Sequence, residues 1–315
     1  MGGPMNDTKA SSPAEISQRG WRDVLRRSSR AMAAQNMSLS AAGIAFYVVW
    51  AFFPALAMIV VLAALLLGKA QVLAWLSSVR LDLPDSFNIV VTSQLDAIAE
   101  RSRGLSIVTV LGAFAFSLWS GMRGARALIA ALNLVYHERE RRSFWHRQAL
   151  ALGLCLLGGA FVLGALTLIV GLAGLDFRLA SLTGPVLLLA PTRWPVLIVA
   201  TLLLLSVAYR YGPCRRVAKW RWVTWGATVS ATIWVTGSSL LSYYAAHYAQ
   251  LNQLLGSLGL VMIFLFWCYL TVLIVLLGAQ INAELERHTD EDTGAGEPRP
   301  PGQRGAAVAA ADVQR

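Results

Sequence analysis

The stretch LGLVMIFLFWCYLTVLIVLLGAQINA, residues 258–283, decides how the rest of the chain is read. It contains no Asp, Glu, Lys or Arg. A helix that crosses a bilayer needs about 20 predominantly apolar residues, and this run is longer than that. Five earlier runs have the same character. They are Ala41 to Leu67, with Pro54 inside; Leu105 through Trp119, continuing to Arg123 and Arg126; Ala149 to Leu175; Trp194 to Tyr211, with Pro195 suited to a first helical turn; and Val223 to Tyr244. The expected fold class is an all-α integral membrane protein with six transmembrane helices. Val186 to Ala190, caught between Pro185 and Pro191, is too short to span.

Composition agrees. Apolar residues make up 56% of the 315-residue chain and charged residues 14%, against about 45–50% and about 25% in soluble domains. So few charges cannot clothe a soluble surface, and so apolar a chain is not intrinsically disordered. The first apolar run follows some 40 polar or mixed residues and is too long for a signal-peptide core.

The net charge of +10 would suggest nucleic acid in a soluble protein. Between spans it has a simpler meaning, because Lys and Arg retain loops in the cytoplasm. The N-terminal segment, the loops after spans two and four and the C-terminal segment together hold 19 of the 27 Lys and Arg; the opposite segments hold six. The remaining two are Arg123 and Arg126. This asymmetry puts both termini inside, and no nucleic-acid partner is expected. The divisions are a basic cytoplasmic segment (1–37), a six-helix membrane domain (38–287) and a disordered cytoplasmic tail (288–315) rich in Gly, Pro and Ala.

Gly68 to Gly104 is the long outer loop. Within it Phe87, Val91, Leu95 and Ile98 recur at helical spacing, which predicts an amphipathic helix between spans one and two. It either packs on the bundle or lies on the outer membrane surface. The basic segment Arg22 to Arg30 is helix-compatible and suits the anionic inner leaflet.

No phosphate-binding GxxxxGK[ST], HExxH or GxSxG motif occurs. The three cysteines form no CxxC pair and the four histidines are scattered, so neither a zinc site nor any other metal or cofactor is expected. The chain is not expected to be an enzyme.

Candidate functional residues are therefore polar groups in or beside the spans. Arg123 and Arg126 share a helix face. Arg123 lies 18 residues after Leu105, about 27 Å along a helix, which places it near the inner interface. The pair either snorkels to headgroups or binds an anionic group within the bundle. Gly121 and Gly124 flank Arg123 and permit close helix approach. Asn133 is either interhelical glue or a polar site. Pro54 would kink span one or free a carbonyl, as a hinge does. Gln280, Asn282 and Glu284 alternate near the inner end of span six, with Glu284 expected to face water. Asn252, Gly256, Ser257 and Gly259 are expected to form a turn before that span. The loop Tyr209 to Trp225 mixes basic and aromatic residues, either as an interfacial anchor or as a stacking surface for RNA.

Ala45-Phe46-Tyr47 with Phe52-Phe53-Pro54, then Leu118-Trp119-Ser120 with Arg123, Asn133 and Tyr136, together resemble the YihY/BrkB family of bacterial inner-membrane proteins. So do Tyr209-Arg210-Tyr211-Gly212-Pro213, Gly256-Ser257-Leu258-Gly259 and Leu277-Gly278-Ala279 leading to Asn282-Ala283-Glu284-Leu285. The likeness covers about residues 20–288. It implies six helices, cytoplasmic termini and an envelope role. Some members carry an old "ribonuclease BN" label, and others are connected with serum resistance and lipid export. The expectation is a transporter or flippase-like protein for a lipid or other anionic amphiphile, in which Arg123 and Arg126 hold the headgroup, Asn133 adds a hydrogen bond and Pro54 permits bending. The alternative is a non-transporting envelope scaffold.

Overall fold

The computed structural model describes residues 18–67, 107–179, 189–215, 220–247 and 250–287. Among these, every regular element is an α-helix. The helices are α1 (Gln18–Ala34), α2 (Met37–Leu67), α3 (Ile107–Val135), α4 (Phe144–Leu179), α5 (Leu189–Tyr211), α6 (Trp220–His247) and α7 (Gln250–Arg287). The amphipathic outer segment and the C-terminal tail expected from the sequence lie outside the described residues.

Among the described residues, three helices contain stretches long and apolar enough to cross a membrane: Met37–Leu56 in α2, Phe144–Ala165 in α4 and Val261–Glu286 in α7. The apolar stretch Pro195–Tyr211 of α5 is shorter. Polar side chains dilute α3 and α6. In α6 they answer to the helix itself: Thr228, Thr232 and Thr236 each donate to the carbonyl four residues back, at 2.8–2.9 Å, and Ser239 donates to Val235 O at 2.8 Å. Such back-bonding satisfies a hydroxyl without an external partner, so this exposed stripe is less polar than its composition.

One expectation needs correction. Asn252, Gly256, Ser257 and Gly259 do not form a turn; they lie inside α7, which begins at Gln250. Glycine costs a helix about 1 kcal/mol, and the leucines at 251, 254, 255, 258 and 260 around these residues favour its continuation. Pro54 sits within α2, which continues through it. Its missing N–H leaves Trp50 O without a helical donor, and the adjacent carbonyl, Ala51 O, accepts a bond from Ser117 of α3 at 2.9 Å.

The core lies toward one end of the bundle. Met37, Ala41 and Ile44 of α2 meet Leu132 and Val135 of α3, Tyr209 of α5, Ala227 and Ala231 of α6, and Leu276, Ala279 and Ala283 of α7. α1 closes this end, with Val24 packed on Ile281 and Leu285 of α7. Arg22, Arg26, Arg27 and Arg30 stay exposed on its other side. α2 and α3 approach closely where a Cβ on Gly124 would stand 3.3 Å from Tyr47 Cβ, and Ser120 Oγ donates to Tyr47 O at 3.1 Å.

Candidate functional site

The end of the bundle that holds the core also gathers its buried polar side chains. At the α6–α7 crossing two glycines remove the bulk that would separate the helices. A Cβ on Gly278 would meet Ser230 Oγ at 1.9 Å and Gly226 O at 2.6 Å; one on Gly226 would meet Gly278 O at 2.3 Å. The resulting closeness lets Gly226 N donate to Asn282 Oδ1 at 2.7 Å and Ser230 Oγ donate to Ile274 O at 3.0 Å. Tyr209 reaches the same crossing from α5 and donates its hydroxyl to Val275 O at 2.8 Å.

Beyond Tyr209 the chain turns through Gly212 to Arg215, and side chains from two other segments bind this turn. Arg142 donates to Gly212 O at 2.9 Å and to Tyr211 O at 3.1 Å, so a cation caps the carbonyl end of α5 as the helix dipole favours. Arg215 is buried in an ion pair with Glu286 of α7. It donates to Tyr209 O at 3.2 Å, and its guanidinium carbon lies 3.9 Å from the centre of the Tyr136 ring. Burial pushes the Tyr136 hydroxyl above its ordinary pKa, which keeps the ring neutral under this cation.

Glu284 does not face water. It is buried and accepts from Gln280 Nε2 at 3.2 Å. The sequence has Glu284 and Glu286 flanking a helix end in an otherwise basic rim. That charge reversal is the signal that sets them apart from solvated groups, and Glu286 is the one that pairs with a loop arginine, Arg215.

The anticipated site residues divide. Asn133 is buried and its amide is engaged at both ends: Nδ2 donates to Glu140 Oε2 at 2.9 Å, and Oδ1 accepts from Cys214 N at 2.7 Å. It joins the loop after α3 to the loop after α5. Arg126, two turns earlier on α3, donates to Gln148 Oε1 of α4 at 3.2 Å. Arg123 is exposed on α3, its guanidinium carbon 4.3 Å from the centre of the Trp119 ring. Pro54 contributes nothing to this end of the molecule.

Arg126 and Asn133 do line one feature together. An open groove of about 510 Å³ runs along α3 and the loop leading into α4, with Arg126, Asn133, Glu138, Glu140 and Arg147 as its polar wall and Ala130 and Leu134 among its apolar residues. Arg123 lies outside it. Glu140 is fixed in the groove: Oε1 also accepts from Arg142 N at 3.1 Å. Partial burial would raise its pKa. The bonds from Asn133 and Arg142 N and the charge of Arg142 outweigh that, and hold it below the ordinary carboxylate value. Glu140 is therefore ionised at neutral pH. Among the described residues, no group of three or more His, Cys, Asp or Glu side chains is gathered as a metal site.

Apolar helices, a basic rim and an assembled polar end define an all-helical membrane protein. Comparison with known proteins gives the family: the chain belongs to the virulence factor BrkB family, whose model matches residues 28–302. It is similar to a putative ribonuclease-like protein, YfkH, of Bacillus subtilis, at 28% identity over 207 residues, 64% of this chain and 73% of that protein. It also resembles UPF0761 membrane proteins. That of Idiomarina loihiensis is 32% identical over 95 residues, covering 30% of this chain and 33% of the relative. That of Acinetobacter baylyi is 24% identical over 217 residues, 66% of this chain and about half (49%) of the relative. No solved structure matches the chain.

Proposed function

We propose that the protein is a transporter or flippase-like protein of the bacterial inner membrane, moving a lipid or another amphiphile that carries an anionic group. In this reading α2 to α7 are six spans, both termini are cytoplasmic, and no catalytic step is involved. The observation that carries it is the open groove, in which Arg126 and Arg147 stand beside Ala130 and Leu134. Two guanidinium groups in a polar wall next to apolar surface suit a headgroup whose tails remain in lipid. Six helices of 23 to 38 residues, each longer than the bilayer requires, support the six spans. The internally satisfied hydroxyls of α6 support its inclusion, and the Lys and Arg asymmetry supports the orientation.

Arg126 and Arg147 would hold the anionic group, with Arg123 one helical turn away presenting a further cation. Asn133, committed to Glu140 and Cys214, would act by holding the groove wall in place. That commitment also favours a second reading, in which this end of the bundle is structural and the protein is an envelope scaffold.

Proteoliposomes carrying a labelled phospholipid test the proposal. The parent should translocate the label faster than protein-free vesicles, and an Arg123→Ala/Arg126→Ala variant that melts like the parent should not. Equal rates in parent and variant would overturn the assignment of these residues. A parent rate no higher than that of empty vesicles would favour the scaffold.

A further inference from the structure

The exposed surface shared by α2 and α3 differs from that of α5. Along α5 the exposed large apolar side chains between residues 196 and 203 are aliphatic: Val196, Ile198, Val199 and Leu203. On α2 and α3 four rings touch in sequence instead. Phe46 and Trp50 of α2 have centroids 5.5 Å apart, Trp50 meets Phe116 of α3 at 5.8 Å, and Phe116 meets Trp119 at 5.8 Å. Each ring residue stays 38–49% exposed, so these contacts leave ring surface open. Ser117 donates to Ala51 O and Ser120 to Tyr47 O, so the two helices run antiparallel. Trp50 and Phe116 therefore stand at one level, and Phe46 lies beside the turn from Trp119 to Arg123. The rings form a U whose two arms open toward the core end of the bundle. Arg123 caps one arm, its guanidinium carbon 4.3 Å from the centre of the Trp119 ring. Among the described residues no carboxylate is paired with Arg123, so its guanidinium edge is available to an anion.

We infer that this U is a binding site for a single-chain isoprenoid lipid that carries its phosphate directly on the chain. An aromatic belt at a membrane interface sits at headgroup level. Phe116 lies seven residues before Arg123, about 10 Å deeper along the helix, so the Trp50–Phe116 joint faces hydrocarbon. The phosphate meets the edge of the Arg123 guanidinium, where charge-assisted hydrogen bonds form. Because Arg123 stacks on Trp119 itself, the chain reaches the rings at once, with no room for a glycerol between them. The arms belong to adjacent helices, whose axes lie about 8–10 Å apart, and that spacing admits one hydrocarbon chain rather than two. An isoprenoid chain suits rigid ring faces better than a saturated one. Its planar double bonds and methyl branches pack on π surfaces, and it has fewer freely rotating bonds to immobilise.

The assignment rests on the proposed placement of α2 and α3 as spans, and it concerns a site apart from the groove, whose lining includes neither Arg123 nor the rings. The test is native mass spectrometry of the full chain in detergent with three probes: geranylgeranyl phosphate, its fully saturated counterpart phytanyl phosphate, and the two-chain dioleoyl phosphatidic acid. The parent should bind geranylgeranyl phosphate about fivefold more tightly than either competitor, the order expected of one or two ring contacts. Trp50→Leu/Trp119→Leu, on the exposed side of both helices, should bring the ratio to phytanyl phosphate to one. Arg123→Gln, also exposed, should weaken binding of geranylgeranyl phosphate about tenfold. Equal binding of geranylgeranyl and phytanyl phosphate by the parent overturns the inference, as does tighter binding of phosphatidic acid. An unchanged ratio in the tryptophan variant, or undiminished binding by Arg123→Gln, overturns it too. If the tryptophan variant does not fold, Phe46→Leu replaces it with a smaller shift in the same direction, and no shift overturns the inference. Phospholipid flux in the same preparations separates the two proposals. Isoprenoid preference without flux removes the transport reading and leaves this site, whereas flux without preference removes this site alone.

Discussion

α4 and the α6–α7 crossing are both built from apolar residues and glycine, yet they are held by different physics. Along α4, Leu156, Leu157, Val162 and Leu163 are exposed, and a Cβ on Gly153, Gly158, Gly159 or Gly164 would meet nothing within 4 Å. At the crossing, a Cβ on Gly226 or Gly278 would strike backbone and side-chain oxygens, and Asn282, Ser230 and Tyr209 bind across the gap. In lipid no hydrophobic force drives helices together, so close packing and hydrogen bonds carry association. The comparison teaches that hydropathy places a helix in the membrane, while small and polar residues decide what it touches.

The contrast breaks most visibly at the buried ion pair. Glu286→Ala would leave Arg215 buried without its carboxylate, at a cost of about 3–5 kcal/mol, and should lower the melting temperature in detergent more than any substitution on α4. Gly278→Ala should come next, at about 1–3 kcal/mol for overpacking, measured in the same way. Gly158→Ala is its control and should be neutral or slightly stabilising, since alanine favours the helix by up to about 1 kcal/mol. Asn133→Ala removes the bonds to Glu140 and Cys214, an expected loss of about 1–3 kcal/mol. It should raise hydrogen exchange in residues 138–143 ahead of the rest of the protein.

The smallest effect concerns pH. The folded protein holds the Glu140 carboxyl below its unfolded value of 4.5, so its contribution is complete above that value and is lost as the pH falls through the lower folded one. The melting difference between the parent and Glu140→Gln should therefore be constant near neutral pH and close as the pH falls below the ordinary carboxylate range.

These regions also differ in how far the sequence revealed them. Hydropathy places the apolar middles of α2 and α4, Ala41–Leu67 and Ala149–Leu175, but not all their ends: the helices run Met37–Leu67 and Phe144–Leu179, because backbone hydrogen bonding continues through polar residues such as Arg147 and Gln148. Asn133 could be placed on α3, but its partners are Glu140 and Cys214, seven and 81 residues away, and no local pattern encodes the second. Arg215 was one of five basic residues in its loop. Only the packed fold separates the one that pairs with Glu286 from those that mark orientation. A charged residue at a helix end is usually solvated, and no local pattern encodes that Glu284 is buried with Gln280 as a hydrogen-bond donor. Arg123 and Arg126 were legible as a pair, but the turn of α3 gives only Arg126 to the groove.

The central claim is that the groove acts on lipid while the neighbouring polar contacts hold its walls. Phospholipid flux per folded molecule in an Arg126→Ala/Arg147→Ala variant tests it most directly. The account predicts flux reduced to that of empty vesicles at a melting temperature close to the parent's. Flux equal to the parent's would contradict it.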